Sequence, residues 1–287
     1  MMDQIKASAC AVHFNKLEVR RGQTRILKGI NLSIARGKYT AILGANGCGK
    51  TTLVRCMTGH VLLSGGSVDV LGSRIGRVDI RELRKKIGVV NTSVDGGGVH
   101  TAGAVVDVDL TTREAVLTGF FGTVWLYDRP TEEQYAKATA AIKRVGLCHR
   151  LGHRLGHLST GEQRRCMIAR ALVGDPELLI LDEPSAGLDV LGREQIMGTL
   201  RVILSGVNPP AVVMVTHHVE EILDDADQIV LMKEGEIFRA GGSDEVLCDA
   251  HLSAVLGCDV RVSQSGGRYV LEVVSGGDDF LSRGVKR

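Results

Sequence analysis

An α/β architecture on a mostly parallel sheet is what the sequence predicts, and three stretches carry that expectation. "YTAILG" (39–44) runs into a glycine-rich turn and then "KTTLVRCMTG", the order strand, loop, helix. "ELLILD" (177–182) and "AVVMVTH" (211–217) are continuous apolar runs. Parallel strands covered on both faces read this way, because neither side alternates with solvent.

The other elements follow in chain order. Alternation in "LEV" and "ILKGINLSI", broken at "RRGQ", predicts short antiparallel strands in the first 35 residues. Residues from about 92 to 157 change character. "DGGGVH" is a break, and "TEEQYAKATAAIKRVGL" predicts an amphipathic helix opened by Thr131 with acids in its first turn. An inserted helical subdomain is therefore expected here.

"LSTGEQRR" (158–165) has the form of a helix start, with Ser159 as cap and Glu162 three residues on. "QIVLMKEGEIFRAG" predicts a hairpin turning at Glu234–Gly235. From about residue 243 a helical stretch leads to "GGRYVLEVV", a small C-terminal extension (243–287) beside a principal domain at 1–242. Each motif occurs once, without internal repeats.

Composition narrows the function. With 44% apolar and 24% charged residues the chain is of globular type. Basic residues exceed acidic ones by 35 − 33 = +2, which gives no support to a wide nucleic-acid surface. Seven cysteines stand without C-x-x-C spacing, and "MMDQIKASAC" has no apolar core, so a reducing, cytoplasmic setting is expected. "AVLTGFFGTVWLY" is too short for a bilayer, which takes about 20 residues.

"GANGCGKT" spans Gly44, Ala45, Asn46, Gly47, Cys48, Gly49, Lys50 and Thr51, and fits G-x-x-x-x-G-K-S/T between a strand and a helix, with Thr52 next. Glycines let backbone N–H groups close around phosphates, and the helix adds its positive end. Lys50 would reach the β- and γ-phosphates and the Thr51 hydroxyl would ligate Mg²⁺. Asp182 ends a buried strand, where α/β sheets place ligands, and suits Mg²⁺; Glu183 suits a general base for water. The bland alternative, an acid pair that only caps the next helix, weakens beside a phosphate loop.

"GANGCGKT", "LSTGEQRR", "LLILDEP", "SAGLD" and "VTHH" stand in an order and spacing that resemble the ABC (ATP-binding cassette) ATPases over nearly the whole chain to about residue 242. The resemblance implies a P-loop NTPase core of ABC ATPase type with an N-terminal antiparallel β subdomain and an inserted helical subdomain. It further implies that Ser159 and the Gly161 backbone contact the γ-phosphate held by the loop of a second copy. Asp189 of "SAGLD" would lie at that seam, and His217 would touch the γ-phosphate and hold the attacking water. A narrower likeness, carried by "GFFGTVWLYDRPTEEQ" and "VTHHVEEI", is to solitary cassettes of the molybdate-transport type.

The chain departs from the family in three features. Thr160 and Glu162 stand where the signature has glycine and glutamine. Arg21 stands where an aromatic residue stacks on adenine; a guanidinium can also stack, and an exposed strand-edge arginine is the equal alternative. The Mg²⁺-sensing glutamine after "IGVV" is missing; Asn91 and Thr92 occupy its neighbourhood, and either can offer an oxygen to Mg²⁺ with a shorter reach, Thr92 being the one expected to.

Two weaker signals remain. His149, His153 and His157 in "CHRLGHRLGH" have four-residue spacing, but Gly152 and Gly156 interrupt a helix and no acid or cysteine completes a metal set, so a basic loop is the better reading. "GFFGTVWLY" holds four of the ten aromatic residues, as an interface for a transmembrane partner or as the insertion's own core. Together these features predict an ATP-hydrolysing transport subunit with ATP and Mg²⁺ as cofactors. It would dimerise head to tail on ATP and sit peripherally on the inner membrane face, against a separate permease and without direct nucleic-acid binding. The alternative is a non-transport cassette acting on a ribosome or DNA.

Overall fold

The computed structural model describes residues 10–91, 99–101 and 104–275. Strands β1 (Cys10–Arg21) and β2 (Thr24–Ala35) form the expected antiparallel pair, with Arg21 facing Thr24 across the turn. Next come β3 (Tyr39–Gly44) and helix α1 (Lys50–Met57), separated by the glycine loop. Strands β4 (Gly65–Val70) and β5 (Ser73–Arg74) return to complete a four-stranded sheet of order β2-β1-β4-β5.

Helix α2 (Ile80–Lys85) leads into β6 (Ile87–Asn91); β7 (Val99–Thr101) and β8 (Ala104–Val106) make a small antiparallel pair. Two helices follow, α3 (Thr112–Phe121) and α4 (Glu132–Arg144). Thr131 caps α4 in a complete capping box with Gln134, and Glu132 and Glu133 occupy its first turn, as the sequence predicts. Helix α5 (Thr160–Leu172) begins at Ser159, then β9 (Leu178–Asp182), α6 (Val190–Leu204), β10 (Ala211–Thr216), β11 (Gln228–Lys233) and β12 (Glu236–Gly241) build the central layer.

The second sheet has the order β12-β11-β3-β10-β9-β6, parallel except for β12 at its edge. Every residue of β3, β9 and β10 is buried, which is why those stretches carry no polar alternation. Full burial of one such Leu, Ile or Val side chain stabilises by roughly 1.5–3 kcal/mol. Parallel pairing fixes the register so that Gly44, Asp182 and Thr216 all end their strands at the same edge. The β11–β12 turn falls at Glu234 (φ 49°) and Gly235 (φ 84°), the paired left-handed geometry that favours glycine in a two-residue hairpin.

Helix α5 packs against α3 and α4 of the insertion as well as against β6. Arg170 ties this arrangement together: its Nε donates to Thr118 Oγ1 at 2.8 Å and its Nη2 to the Thr123 carbonyl at 3.0 Å. Burial lowers its guanidinium to a pKa of about 10. Within "GFFGTVWLY", Phe120 and Leu126 pack on the core, as the second of its two expected roles requires, while Trp125 and Tyr127 are 49% and 76% exposed.

The C-terminal segment is less of an appendage than its sequence suggests. Helices α7 (Ser243–Val246) and α8 (Asp249–Leu256) and the hairpin β13 (Asp259–Ser265) and β14 (Arg268–Ser275) follow in order. Leu252, Val255, Val260 and Tyr269 join the main core, and Arg268 forms a bidentate ion pair with Glu194 of α6. No helix among the described residues is long and apolar enough to cross a membrane.

Candidate active site

The glycine loop is held from behind. The Gly235 N–H donates to the Cys48 carbonyl at 3.0 Å, and the Lys28 N–H donates to the Gly235 carbonyl at 2.9 Å. A Cβ at Gly44 would lie 2.5 Å from the Met232 carbonyl, and Gly49 sits at φ 108°, so the chain can take this path only with glycine there. Burial raises the Cys48 thiol above its usual range.

Helix α1 starts at Gly49 with no capping side chain and no acid in its first turn. An uncapped N-terminus with its positive end open is an anion site. Lys50 is 5% exposed, and its ammonium donates to the Gly44 and Ala45 carbonyls at 2.7 and 3.1 Å. A buried cation on neutral carbonyls, beside an uncapped helix start, fits a polyphosphate chain. Asn46 and Gly47 form the exposed rim, and Thr51 and Thr52 open the helix.

Asp182 and Glu183 close the facing side. Burial, then the neighbouring Glu183 charge, push the Asp182 carboxyl up to about 6, against the Thr51 hydroxyl that hydrogen-bonds to it and the charges of Lys50 and Arg55. A strand-end carboxylate joined to a threonine hydroxyl offers hard oxygen donors, the chemistry of Mg²⁺, which keeps much of its own water. Asn91 ends β6 as the register partner of Asp182. Thr92 lies outside the described residues. The helix that follows Asp182 and Glu183 is capped by Asp189, whose Oδ1 accepts the Gly192 N–H at 2.7 Å, so the acid pair is not that helix's cap.

Glu183 has φ 52°, a left-handed conformation that a non-glycine residue enters at a cost of about 1–3 kcal/mol. Its N–H donates to the Val215 carbonyl at 2.8 Å, which turns the side chain out at the strand edge. Glu183 Oε1 lies 3.2 Å from His217 Nδ1 and 4.0 Å from Lys50 Nζ. Three groups from three segments thus converge: a cation, a carboxylate able to take a proton, and an imidazole. The His218 ring stacks beside His217 with centroids 4.0 Å apart.

Ser159 and Gly161 are elsewhere. Ser159 caps α5: its Oγ accepts the Glu162 N–H at 3.3 Å, and its own N–H donates to Glu162 Oε2 at 2.9 Å. Gly161 faces Gly192 in the first turn of α6, so two helix starts lie side by side. Among the described residues, no hydrogen bond or ion pair joins Ser159 or Gly161 to the glycine loop. Arg21 is exposed at the β1–β2 turn. His149 and His157 lie on two short 3₁₀ turns and His153 on the bend between them, all three lining a surface pocket, and no group of three or more His, Cys, Asp or Glu among the described residues is placed to hold a metal.

Two features lie beyond sequence reasoning. Arg150 Nε donates to Glu162 Oε1 at 2.8 Å, and Glu221 is buried against Ser185 and Thr216. The capping spacing announces Glu162, but nothing local announces its partner. Glu221 stands in "VEEI" with no pattern that marks burial.

A parallel sheet whose carboxyl edge carries a phosphate loop, a buried aspartate and a glutamate–histidine pair defines a P-loop nucleotide hydrolase. The chain matches the family model described as ABC transporter over residues 27–186 and belongs to that family. It is 34% identical over 252 residues to the uncharacterized ABC transporter ATP-binding protein YlmA of Bacillus subtilis, covering 88% of this chain and 92% of YlmA. It is 33% identical over 263 residues to the hemin import ATP-binding protein HmuV of Rhizobium meliloti, covering 88% of this chain and 93% of HmuV.

Among solved structures, cbiO1 from Clostridium perfringens, part of the transporter complex cbiONQ, superposes with a TM-score of 0.70 at 28% identity, covering 86% of this chain and 94% of that one. The dimeric structure of the bacterial cassette MJ0796 superposes at 0.66 with 25% identity, covering 80% of this chain and 98% of that one. The chain is thus an ATP-binding, ATP-hydrolysing subunit of an ABC transporter.

Proposed function

We propose that this chain powers an importer-type complex by closing head to tail with a second copy around two ATP molecules. The Lys50–Glu183–His217 cluster, with Ser159 and Gly161 outside it, is the observation that carries this reading. A site with its hydrolytic half in one place and the Ser159–Gly161 helix start in another is completed by another copy.

The loop from Gly44 to Thr52 binds the phosphates, with Lys50 on the β- and γ-oxygens. Glu183 takes the proton of the attacking water while His217 orients it. Thr51 and Asp182 would hold Mg²⁺, which supplies charge neutralisation to the phosphates. Ser159 and the Gly161 amide cover the γ-phosphate of the other copy, with Asp189 at the seam. A ligand bound only by the closed state, at a hundred times its Kd, contributes about 2.7 kcal/mol per site toward closure.

The membrane part is a separate chain, and this subunit attaches to it peripherally at the inner face. Exposed Trp125 and Tyr127 on the inserted helical subdomain offer it apolar contact area. The names of HmuV and of the phosphonates import ATP-binding proteins support import. The principal domain ends near residue 242, and the extension packs against it.

Mixing two inactive variants tests the dimer. Lys50→Ala and Ser159→Arg are each inactive alone, yet their mixed dimer contains one intact Lys50 site faced by one intact Ser159. A 1:1 mixture recovers roughly a quarter of the wild-type rate, since half the dimers are mixed and each has one of two sites. A mixture as inactive as its components overturns the head-to-tail arrangement.

Arg21 is proposed to stack on adenine. Arg21→Ala then weakens ATP binding by about 2- to 30-fold, the range of an exposed to partly desolvated cation–π contact. Titration of a fluorescent ATP analogue measures it, and an unchanged Kd returns Arg21 to the strand edge.

A further inference from the structure

The two groups assigned to the water step, Glu183 and His217, stand on segments 34 residues apart in sequence. One carboxylate reaches both segments from behind. Glu221 lies in the 3₁₀ turn Val219–Glu221 and is 2% exposed. Its Oε1 accepts the Ser185 hydroxyl, two residues after Glu183. Its Oε2 accepts the Thr216 hydroxyl at 2.5 Å, one residue before His217. Arg193 Nε from α6 stands 3.7 Å from Oε1 and supplies the compensating charge that a buried carboxylate needs.

Both hydroxyl carriers are themselves buried, Ser185 at 3% and Thr216 at 1% exposure, so neither contact is shared with solvent. Thr216 Oγ1 also accepts the His218 N–H at 3.0 Å, which fixes the backbone on the far side of His217. On the other segment, Ser185 follows the residue pair that contains the left-handed Glu183. A strained conformation persists where its surroundings over-determine it. The Glu183 N–H bond to Val215 holds one end of this turn, and the Ser185–Glu221 bond holds the other.

We infer that Glu221 is the positioning residue for hydrolysis: it clamps the Glu183 segment to the His217 segment and so sets the spacing of the two side chains. It does not touch the nucleotide, and it acts through Ser185 and Thr216. The inference rests on the proposed roles of Glu183 and His217. Rate in such a site is sensitive to misplacement of about 1 Å, whereas phosphate binding at Lys50 does not depend on that spacing.

Steady-state ATPase assays on the purified chain test this with Ser185→Ala, Thr216→Val, Glu221→Gln and Glu221→Ala. Ser185→Ala and Thr216→Val each lower kcat by about 3- to 10-fold, with KM for ATP within about 2-fold of wild type. Glu221→Ala lowers kcat by about 30-fold or more, and adding Ser185→Ala to it causes no further loss, because the contact is already gone. Glu221→Gln keeps the length and one acceptor and recovers most of the rate.

If Glu221→Ala does not fold, the two hydroxyl variants and Glu221→Gln decide alone. Unchanged kcat in both hydroxyl variants overturns the clamp. So does a loss of ATP affinity that matches the loss of rate, or a Glu221→Ala and Ser185→Ala pair whose effects multiply. Failure of the underlying reading looks different: Glu183→Gln then hydrolyses ATP at the wild-type rate, whatever the clamp variants do.

Discussion

Glu183→Gln lowers kcat for ATP hydrolysis by about 10²- to 10⁴-fold, the range for loss of a general base, and leaves ATP bound. Its geometry gives the reason. The carboxylate sits 3.2 Å from His217 Nδ1 and 4.0 Å from Lys50 Nζ, so one side chain faces both the imidazole and the phosphate-binding cation. The amide keeps the shape and can still hydrogen-bond to His217, but it cannot take a proton from water. Affinity survives because the glycine loop, Lys50 and the uncapped start of α1 are untouched.

Stalled hydrolysis leaves the closed state populated, so Glu183→Gln with ATP and Mg²⁺ elutes as a dimer in size-exclusion chromatography. The same protein with ADP elutes as a monomer, because the γ-phosphate that Ser159 is proposed to cover is missing. A variant that binds ATP tightly and still elutes as a monomer sinks closure as the mechanism. Full activity in the variant removes Glu183 from the role of base.

Much of this site was legible because its parts are locally specified. β3, β9 and β10 announce themselves through unbroken apolar runs, since no residue in them meets solvent. Gly44 and Gly49 are required by backbone geometry that acts over a few residues. The capping boxes at Ser159 and Thr131 also depend only on residues three apart. Elements too short for a periodic signal were missed, as with β5, two residues long, which pairs Asp69 with Arg74.

Groups whose role depends on chain closure were also missed. Ser185 and Glu221 are 36 residues apart, and Arg150 and Glu162 are 12 apart, so no spacing rule joins them. The C-terminal hairpin reads as an appendage because its anchor, Arg268 on Glu194, spans 74 residues of sequence. Long-range ion pairs leave no periodic trace, because any exposed arginine looks the same before it is docked. Thr92, read as an oxygen donor near Mg²⁺, lies outside the described residues, and Asn91 is the neighbour that the sheet register puts beside Asp182.

Acidification from pH 4.5 toward 2 removes about 3 kcal/mol of folding stability through Glu162 alone, the free-energy equivalent of its shift. Burial opposes the charge of this carboxyl and would raise it. The Ser159 amide, the Arg150 guanidinium and the Ser159 hydroxyl outweigh burial and hold it at about 2 rather than 4.5. A depressed carboxyl stabilises the folded state above its unfolded value and loses that contribution as pH falls toward the folded one. The window is therefore pH 4.5 down to about 2.

Glutamine, the family's residue here, cannot take part in that titration, so the stability difference between wild type and Glu162→Gln shrinks through this window in urea unfolding curves. Arg150→Met costs about 1 kcal/mol in the wild type, a modest value because the guanidinium is 37% exposed, and close to nothing in Glu162→Gln. The acid is therefore tolerated in the first turn of this helix because Arg150 pairs with it, which leaves no bare negative charge beside Ser159, the residue proposed to cover a second copy's phosphate. A difference between wild type and Glu162→Gln that does not change with pH would show that Arg150 and Glu162 pack together without an electrostatic contribution.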